Sequence, residues 1–277
     1  MTILSASQTD ETIAGLDRRE ALCRELALSA GALALEGFGD RSAGVSMKGP
    51  QDFLTETDAA VERHIRSAIA AAFPEDGFLG EETGGALTSR IWVVDPIDGT
   101  ANFARSIPHF CISIAFVADG EIELGAIYNP GFDDLYVARK GRGAVKNGKP
   151  IRVAATTDFA AACVELGWSN RLPNSTYLDV LSKVLDRGAN VRRGASGALG
   201  LAYVADGRSD AYAELHMNSW DCLAGLLLVR EAGGAVCPFL HNGGLADGGP
   251  VLAAAPGIAA GMSNATGIPL EGEAART

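Results

Sequence analysis

The sequence has no Cys-x-x-Cys pair, no basic segment leading into an apolar run at its start, and no uninterrupted apolar stretch of the ~18 residues a membrane helix needs. The first absence excludes a disulfide scaffold and a thiolate zinc site. Cys23, Cys111, Cys163, Cys222 and Cys237 are odd in number and widely scattered, and read as small apolar residues in a reducing compartment. The other two absences exclude a secretory leader and a transmembrane span, so the expected location is cytoplasmic. Positive charge is also scarce: 23 Lys and Arg stand against 34 Asp and Glu, a net charge of −11. A surface this acidic repels phosphate backbones and anionic lipid, which excludes a general nucleic-acid or membrane-surface binder. His64, His109, His216 and His241 show no metal-ligand spacing, and no internal repeat or Pro/Ser-rich linker divides the 277 residues.

What is present is a large apolar fraction, 47%, with 21% charged residues, enough to build a sizeable core. The 34 glycines are dispersed, which predicts many tight turns. Residues 1–10 read as a polar, frayed end. Helical spacing of Leu22, Leu26, Ala30 and Ala34 predicts a helix from Asp10 to about Phe38, and a second amphipathic helix runs to Phe73, stopped by Pro74. Ile91–Val94 reads as a buried strand, followed by strands at 111–118, 121–128 and 134–139, the first two joined by Asp119-Gly120; Asn147-Gly148 marks another turn. Beyond the boundary expected near 150–160, strands at 161–166, 209–214, 235–239 and 251–255 alternate with helices at 173–187, 196–206 and 219–232. Residues 262–277 read as a loose tail. The order of elements predicts an α+β layered fold, with subdomains 1–155 and 156–277 forming one compact unit.

Four short patterns carry carboxylates. Asp95-Pro96-Ile97-Asp98-Gly99-Thr100 places two carboxylates three residues apart where a buried strand ends, with Pro and Gly shaping the turn. Hard cations such as Mg2+ take oxygen ligands of this kind, and a plain Asp-Pro turn is the alternative. Gly80-Glu81-Glu82 fits either a ligand or a solvated loop. Asp52-x-x-Thr55-x-x-Asp58 fits a helix N-cap, and Asp221, after Trp220, fits a favourable charge at the start of an apolar helix.

Taken in this order, the patterns make the sequence resemble the inositol monophosphatase family of Mg2+-dependent, lithium-sensitive phosphatases. The resemblance rests on Asp52–Asp58, Gly80–Thr83, Trp92–Phe103 and Trp220-Asp221 with Glu231-Ala232-Gly233-Gly234, and spans roughly residues 20–255. It implies the layered α/β/α/β/α sugar-phosphatase fold, a homodimer, and two to three Mg2+ ions. By resemblance, Glu81, Asp95 and the Ile97 carbonyl match the ligands of one ion. Asp95, Asp98 and Asp221 match those of a second, and a third ion sits near Glu81. Thr100 and Asp58 match the pair that orients the attacking water, which with Glu81 forms the catalytic set. Backbone N–H groups at Gly99 and Thr100 suit phosphate oxygens if a helix starts there.

On the alcohol side, Glu214 matches the family's glutamate that accepts from inositol hydroxyls, and Ala195-Ser196-Gly197 matches the small-residue loop that lets backbone reach the substrate, with Asp98 and Asp221 alongside. Ala195 stands where Gly is common and is strained if that position needs a positive φ. The expected substrate is inositol monophosphate or a similar small polyol phosphate. Histidinol phosphate, a sugar bisphosphate and a 3′-phosphoadenosine nucleotide are the alternatives within the same chemistry; a nucleotide calls for a basic pocket, and no basic cluster is evident after residue 209. A non-catalytic regulatory or RNA-associated member of the fold is the reading from a different class.

Overall fold

The computed structural model describes residues 6–39, 45–49 and 52–272, with only the backbone described for 6–12, 45–49, 52–55 and Asn242. Helix α1 (Ala6–Gly37) is followed by a hairpin of β1 (Val45–Gly49) and β2 (Asp52–Thr55), then α2 (Glu56–Ala72). A seven-stranded sheet runs in sequence order: β3 (Gly77–Gly80), β4 (Arg90–Asp98), β5 (Cys111–Ala118), β6 (Glu121–Asn129), β7 (Asp134–Arg139), β8 (Gly143–Lys146) and β9 (Lys149–Pro150). One turn of helix, α3 (Thr100–Phe103), follows β4. Next come β10 (Cys163–Leu166), α4 (Asn174–Leu185), β11 (Asn190–Arg192), α5 (Gly197–Ala205), β12 (Ala211–Met217), α6 (Ser219–Glu231), β13 (Ala235–Val236), α7 (Gly244–Asp247), β14 (Gly249–Ala254) and α8 (Pro256–Thr266). The strands among these form a five-stranded sheet in the order β11-β10-β12-β14-β13.

Helices α1 and α2 pack on one face of the seven-stranded sheet, α5 and α6 lie between the sheets, and α4 and α8 cover the far side of the five-stranded one. This is the α/β/α/β/α layering expected. The sequence of β4 follows from it, because a strand covered on both faces is apolar throughout. Ile91 and Val93 enter the core shared by both sheets, whereas Trp92 and Val94 face α1 and α2. Helix α6 is buried without a break from Cys222 to Val229, as a helix sandwiched between two sheets must be. Each such fully buried aliphatic contributes about 1.5–3 kcal/mol.

Two expectations need correction. The chain is helical from Ala6, so residues 6–10 do not fray; residues 1–5 lie outside the described residues. The loose tail is not one: α8 runs to Thr266, and Met262, Ile268 and Leu270 are buried. These apolar residues pack beneath β12 and β14, and that contact outweighs the weak helical pattern of the segment. Residues 273–277 lie outside the described residues.

Candidate active site

The site begins at an irregularity in β4. Along a regular strand, residues three apart face opposite ways. Between Asp95, paired with Ser113, and Asp98, paired with Cys111, β4 takes three steps while β5 takes two. The extra residue is a bulge, and it turns both carboxylates toward α5 and α6 while Ile97 joins the core on the other face. Pro96 has no N–H to lose at this break, and the Ile97 N–H donates to Asp95 Oδ1 at 2.9 Å. The chain then reverses at Gly99, whose φ of +95° and whose hydrogen in place of Cβ are both needed: a Cβ there would lie 3.0 Å from the His109 carbonyl oxygen.

Glu81 follows β3, the neighbour of β4, and its backbone N–H donates to the Val94 carbonyl at 3.1 Å. Asp221 comes from the opposite side, as the third residue of α6. There it closes a capping box, accepting from the Asn218 N–H at 3.1 Å. Carboxylate oxygens of Glu81, Asp95 and Asp221 all lie within 4.8 Å of one another. Asp98 is held differently. Its Oδ2 accepts from the Ser196 hydroxyl and from the Ala198 N–H at 2.8 Å, and its Oδ1 from the Gly197 N–H at 3.2 Å, so it anchors the first turn of α5. The Thr100 hydroxyl donates to the Ile97 carbonyl at 2.9 Å and lies 3.4 Å from Asp58 Oδ1.

A cavity of about 670 Å3 is walled by Glu81, Asp98, Gly99, Thr100, the 195–197 loop, Glu214 and Asp221, all named from the sequence. Asp58, Asp95 and Ile97 are buried rather than part of its wall, at 0, 1 and 0% exposure. The side chains of Asp52 and Thr55, expected as a cap, lie outside the described residues. Ala195 does take a positive φ, +58°, so the strain expected there is real, at a cost on the order of 1 kcal/mol. Asn102 holds that loop, its amide donating to the Gly194 carbonyl at 2.9 Å and to His109 at 2.7 Å.

Sequence reasoning missed Glu62. From α2 its carboxylate accepts from the N–H groups of Glu82 (2.8 Å) and Thr83 (3.0 Å) and from the Thr83 hydroxyl. One turn on, Arg66 donates to the Gly84 carbonyl at 2.7 Å. The turn bearing Glu81 is thus clamped from below. A signal did exist, since an acidic residue sits within the Asp58, Val61, Ile65, Ile69 stripe that the helix buries.

The electrostatics define what the cluster needs. Burial, and then the charges of Glu81, Asp98 and Asp221, push the Asp95 carboxyl well above its usual range. Burial, and then Asp98 and Glu214, raise Asp221 to about 7. Asp98 is raised by burial, offset in part by its bonds to Ser196, Ala198 and Gly197. Crowded carboxylates in a buried site ionise together only with a cation among them, and hard oxygen donors suit Mg2+, so the residues fit that ion. Without metal, these groups bind protons in the fold that the unfolded chain releases at ordinary carboxylate pH. Stability therefore falls as pH rises from that range through about 7. A divalent cation that bound the ionised forms would restore it. The difference in Tm between Mg2+ and EDTA is expected to widen from about pH 5 to about pH 8. A difference that stays constant would mean that no ion enters the cluster.

Comparison with known proteins identifies the family. The profile of the inositol monophosphatase family matches residues 16–268. The chain is 42% identical over 198 residues to the Nus factor SuhB of Xylella fastidiosa, covering 70% of this chain and 72% of that one. It is also 42% identical over 211 residues to the inositol-1-monophosphatase of Rhizobium meliloti, covering 74% and 79%. Among solved structures, the extragenic suppressor protein suhB from Bartonella henselae superposes with a TM-score of 0.83 at 33% identity, covering 89% of this chain and 97% of that one. The chain belongs to the inositol monophosphatase family.

Proposed function

We propose that this protein is a Mg2+-dependent phosphomonoesterase that hydrolyses inositol monophosphate or a similar small polyol phosphate by direct attack of water. The family supplies the class of reaction, phosphoric monoester hydrolysis. The observation that carries the reading is that the Glu81, Asp95 and Asp221 cluster adjoins the cavity that also holds Glu214. In this reading Glu81, Asp95, Asp98, Asp221 and the Ile97 carbonyl hold two to three ions. Bound there, the ions acidify water and neutralise phosphate charge. Thr100 and Asp58 orient the water, and the N–H groups at Gly99 and Thr100 together with the 195–197 loop receive the phosphate.

Glu214 serves the alcohol. Burial raises its carboxyl to about 7, and the Tyr212 hydroxyl donates to its Oε2 at 2.6 Å, which fixes the side chain. An ionised carboxylate that accepts from two hydroxyls suits a polyol. Glu214→Ala is expected to raise KM for inositol phosphate about tenfold or more, since hydrogen bonds to a charged group contribute about 1.5–3 kcal/mol each. An equal rise for p-nitrophenyl phosphate, which offers no such hydroxyls, would remove the role in specificity.

The test of the whole reading is a phosphate-release screen with Mg2+ across inositol phosphate, histidinol phosphate, fructose bisphosphate and phosphoadenosine phosphate. Turnover fastest on the polyol ester is the expected result, with inhibition by millimolar lithium. The homodimer, the cytoplasmic location and the division at 155/156 belong to the same reading, and sedimentation equilibrium tests the first. A second reading, a regulatory or RNA-associated role, draws on the Nus factor name of the Xylella relative and is opposed by the net charge of −11. No turnover of any ester would favour it.

A further inference from the structure

Among the five described non-glycine residues of positive φ, Ala195 alone has no polar side chain to offset the left-handed backbone. Its conformation must therefore be held from outside the residue. Asn102, in α3, makes the contact. Three carbonyl oxygens converge on its Nδ2, those of His109 at 2.7 Å, Gly194 at 2.9 Å and Ala195 at 3.3 Å. Three acceptors around one atom identify it as the NH2 end of the amide. Asn102 is 9% exposed and does not line the cavity, whereas Gly194, Ala195 and Ser196 do.

A planar trans peptide points its C=O and its N–H in opposite directions. The Gly194 and Ala195 carbonyls both turn to Asn102, so the N–H groups of Ala195 and Ser196 face the other way, toward the cavity. Neither of these N–H groups has an acceptor among the described residues, while the next two, of Gly197 and Ala198, are taken by Asp98. Gly99 packs against the same bend: a Cβ there would lie 3.2 Å from Ser196 Cβ and 3.3 Å from the Ala195 carbonyl oxygen. The open pair therefore adjoins the turn at Gly99 and Thr100. An alanine released from the left-handed region would rotate a peptide and put a carbonyl where an N–H now stands.

We propose that Asn102 is a positioning residue: its amide holds Ala195 in the left-handed conformation and so presents the Ala195 and Ser196 N–H groups to the phosphate of the substrate. The proposal rests on the phosphomonoesterase reading for the ligand that those groups receive. Asn102 touches no substrate itself and acts through the two peptides. Aspartate would face three carbonyl oxygens with oxygens of its own, and alanine would leave them without a donor. An amide is what the position requires.

The experiment is a double-mutant cycle of Asn102→Ala with Ala195→Gly, since glycine takes a positive φ freely and has no need of the clamp. With Ala195 in place, Asn102→Ala should raise KM about tenfold or more for inositol phosphate and p-nitrophenyl phosphate alike, because hydrogen bonds to a charged group are lost. Its kcat should stay within about threefold, the pattern of a lost binding contact, whereas mere loss of folded protein would lower kcat and leave KM. In the Ala195→Gly background the rise should be about fivefold smaller, the population ratio that corresponds to a left-handed alanine. Crystal structures of the wild type and of Asn102→Ala give a readout free of turnover, with φ at Ala195 positive in the first and negative in the second. Equal KM rises in both backgrounds, or a positive φ kept in the variant, would overturn the proposal. Should no ester turn over, the phosphomonoesterase reading fails, and the φ comparison still decides the clamp. Asn102→Ser, which retains one donor, takes the place of alanine in both backgrounds if that variant does not fold.

Discussion

Asp95→Asn is expected to stop Mg2+-dependent phosphate release, by about a thousandfold or more, while the protein stays folded. The loss follows from the position of the residue: of the three acids whose oxygens lie within 4.8 Å of one another it is the most buried, and in the proposed reading it holds the cation together with Glu81 and Asp221. Metal stabilisation of a phosphoryl transition state amounts to several kcal/mol, and each 1.36 kcal/mol is about a factor of ten. The fold is spared because Asn keeps the oxygen that accepts from the Ile97 N–H and fits the same space. Asn also removes a carboxyl that burial and three neighbouring acids disfavour, so in EDTA at neutral pH the variant should melt no lower than the wild type. Circular dichroism and a phosphate assay read both halves. Retained turnover in a folded variant would take Asp95 out of the site.

Glu62→Ala should raise the Mg2+ concentration needed for half-maximal rate about 10- to 100-fold, the usual cost of losing a residue that orients a ligand. Glu62 is not among the residues that line the cavity. It accepts from two backbone N–H groups of the turn that carries Glu81, and truncation removes both of these bonds from the turn. Its carboxyl packs so closely on Gly80 that a Cβ there would lie 2.4 Å from it, which fixes the turn sterically as well. Saturating Mg2+ should recover most of the maximal rate, since the chemistry itself is intact. A variant that loses rate at all Mg2+ concentrations without a shift in midpoint would mean that Glu62 does more than position the turn. Glu62→Gln, which keeps the size and one acceptor, should fall between.

Much of the site was legible because it is local. Asp95 and Asp98 share one bulge and Glu81 follows the adjacent strand, so there sequence spacing and spatial grouping coincide; Asp221, far along the chain, was placed only by the family resemblance. The α6 and β4 segments were readable for the same reason, as continuous apolar runs covered on both faces. The short strands β3, β9 and β11 escaped notice, since two to four residues are too few to show a pattern and their hydrogen bonds come from neighbours. Helix α8 escaped because its glycines and alanines carry a weak stripe that only burial against β12 and β14 makes decisive. That the 167–176 loop borders the pocket was legible, but not which side chains meet there. Arg171 and His216 are 45 residues apart in sequence, and Arg193 reaches Trp168 only because β10 and β11 are parallel neighbours. No periodicity records such a meeting.

Three of the hydrogen bonds on Asp98 join β4 to the first turn of α5 at one buried point. A substitution in the 192–197 loop moves the first turn of α5 and so disturbs Asp98 and the ligands beside it. The 168–171 loop is held by other contacts. It leaves the edge of β10, and its described bonds run to Asn174 and His216, away from the carboxylate cluster. Substitutions in the outer loop are therefore expected to alter which alcohol is accepted more readily than the hydrolysis itself. A lineage built on this scaffold would diversify its diet without reinventing its chemistry.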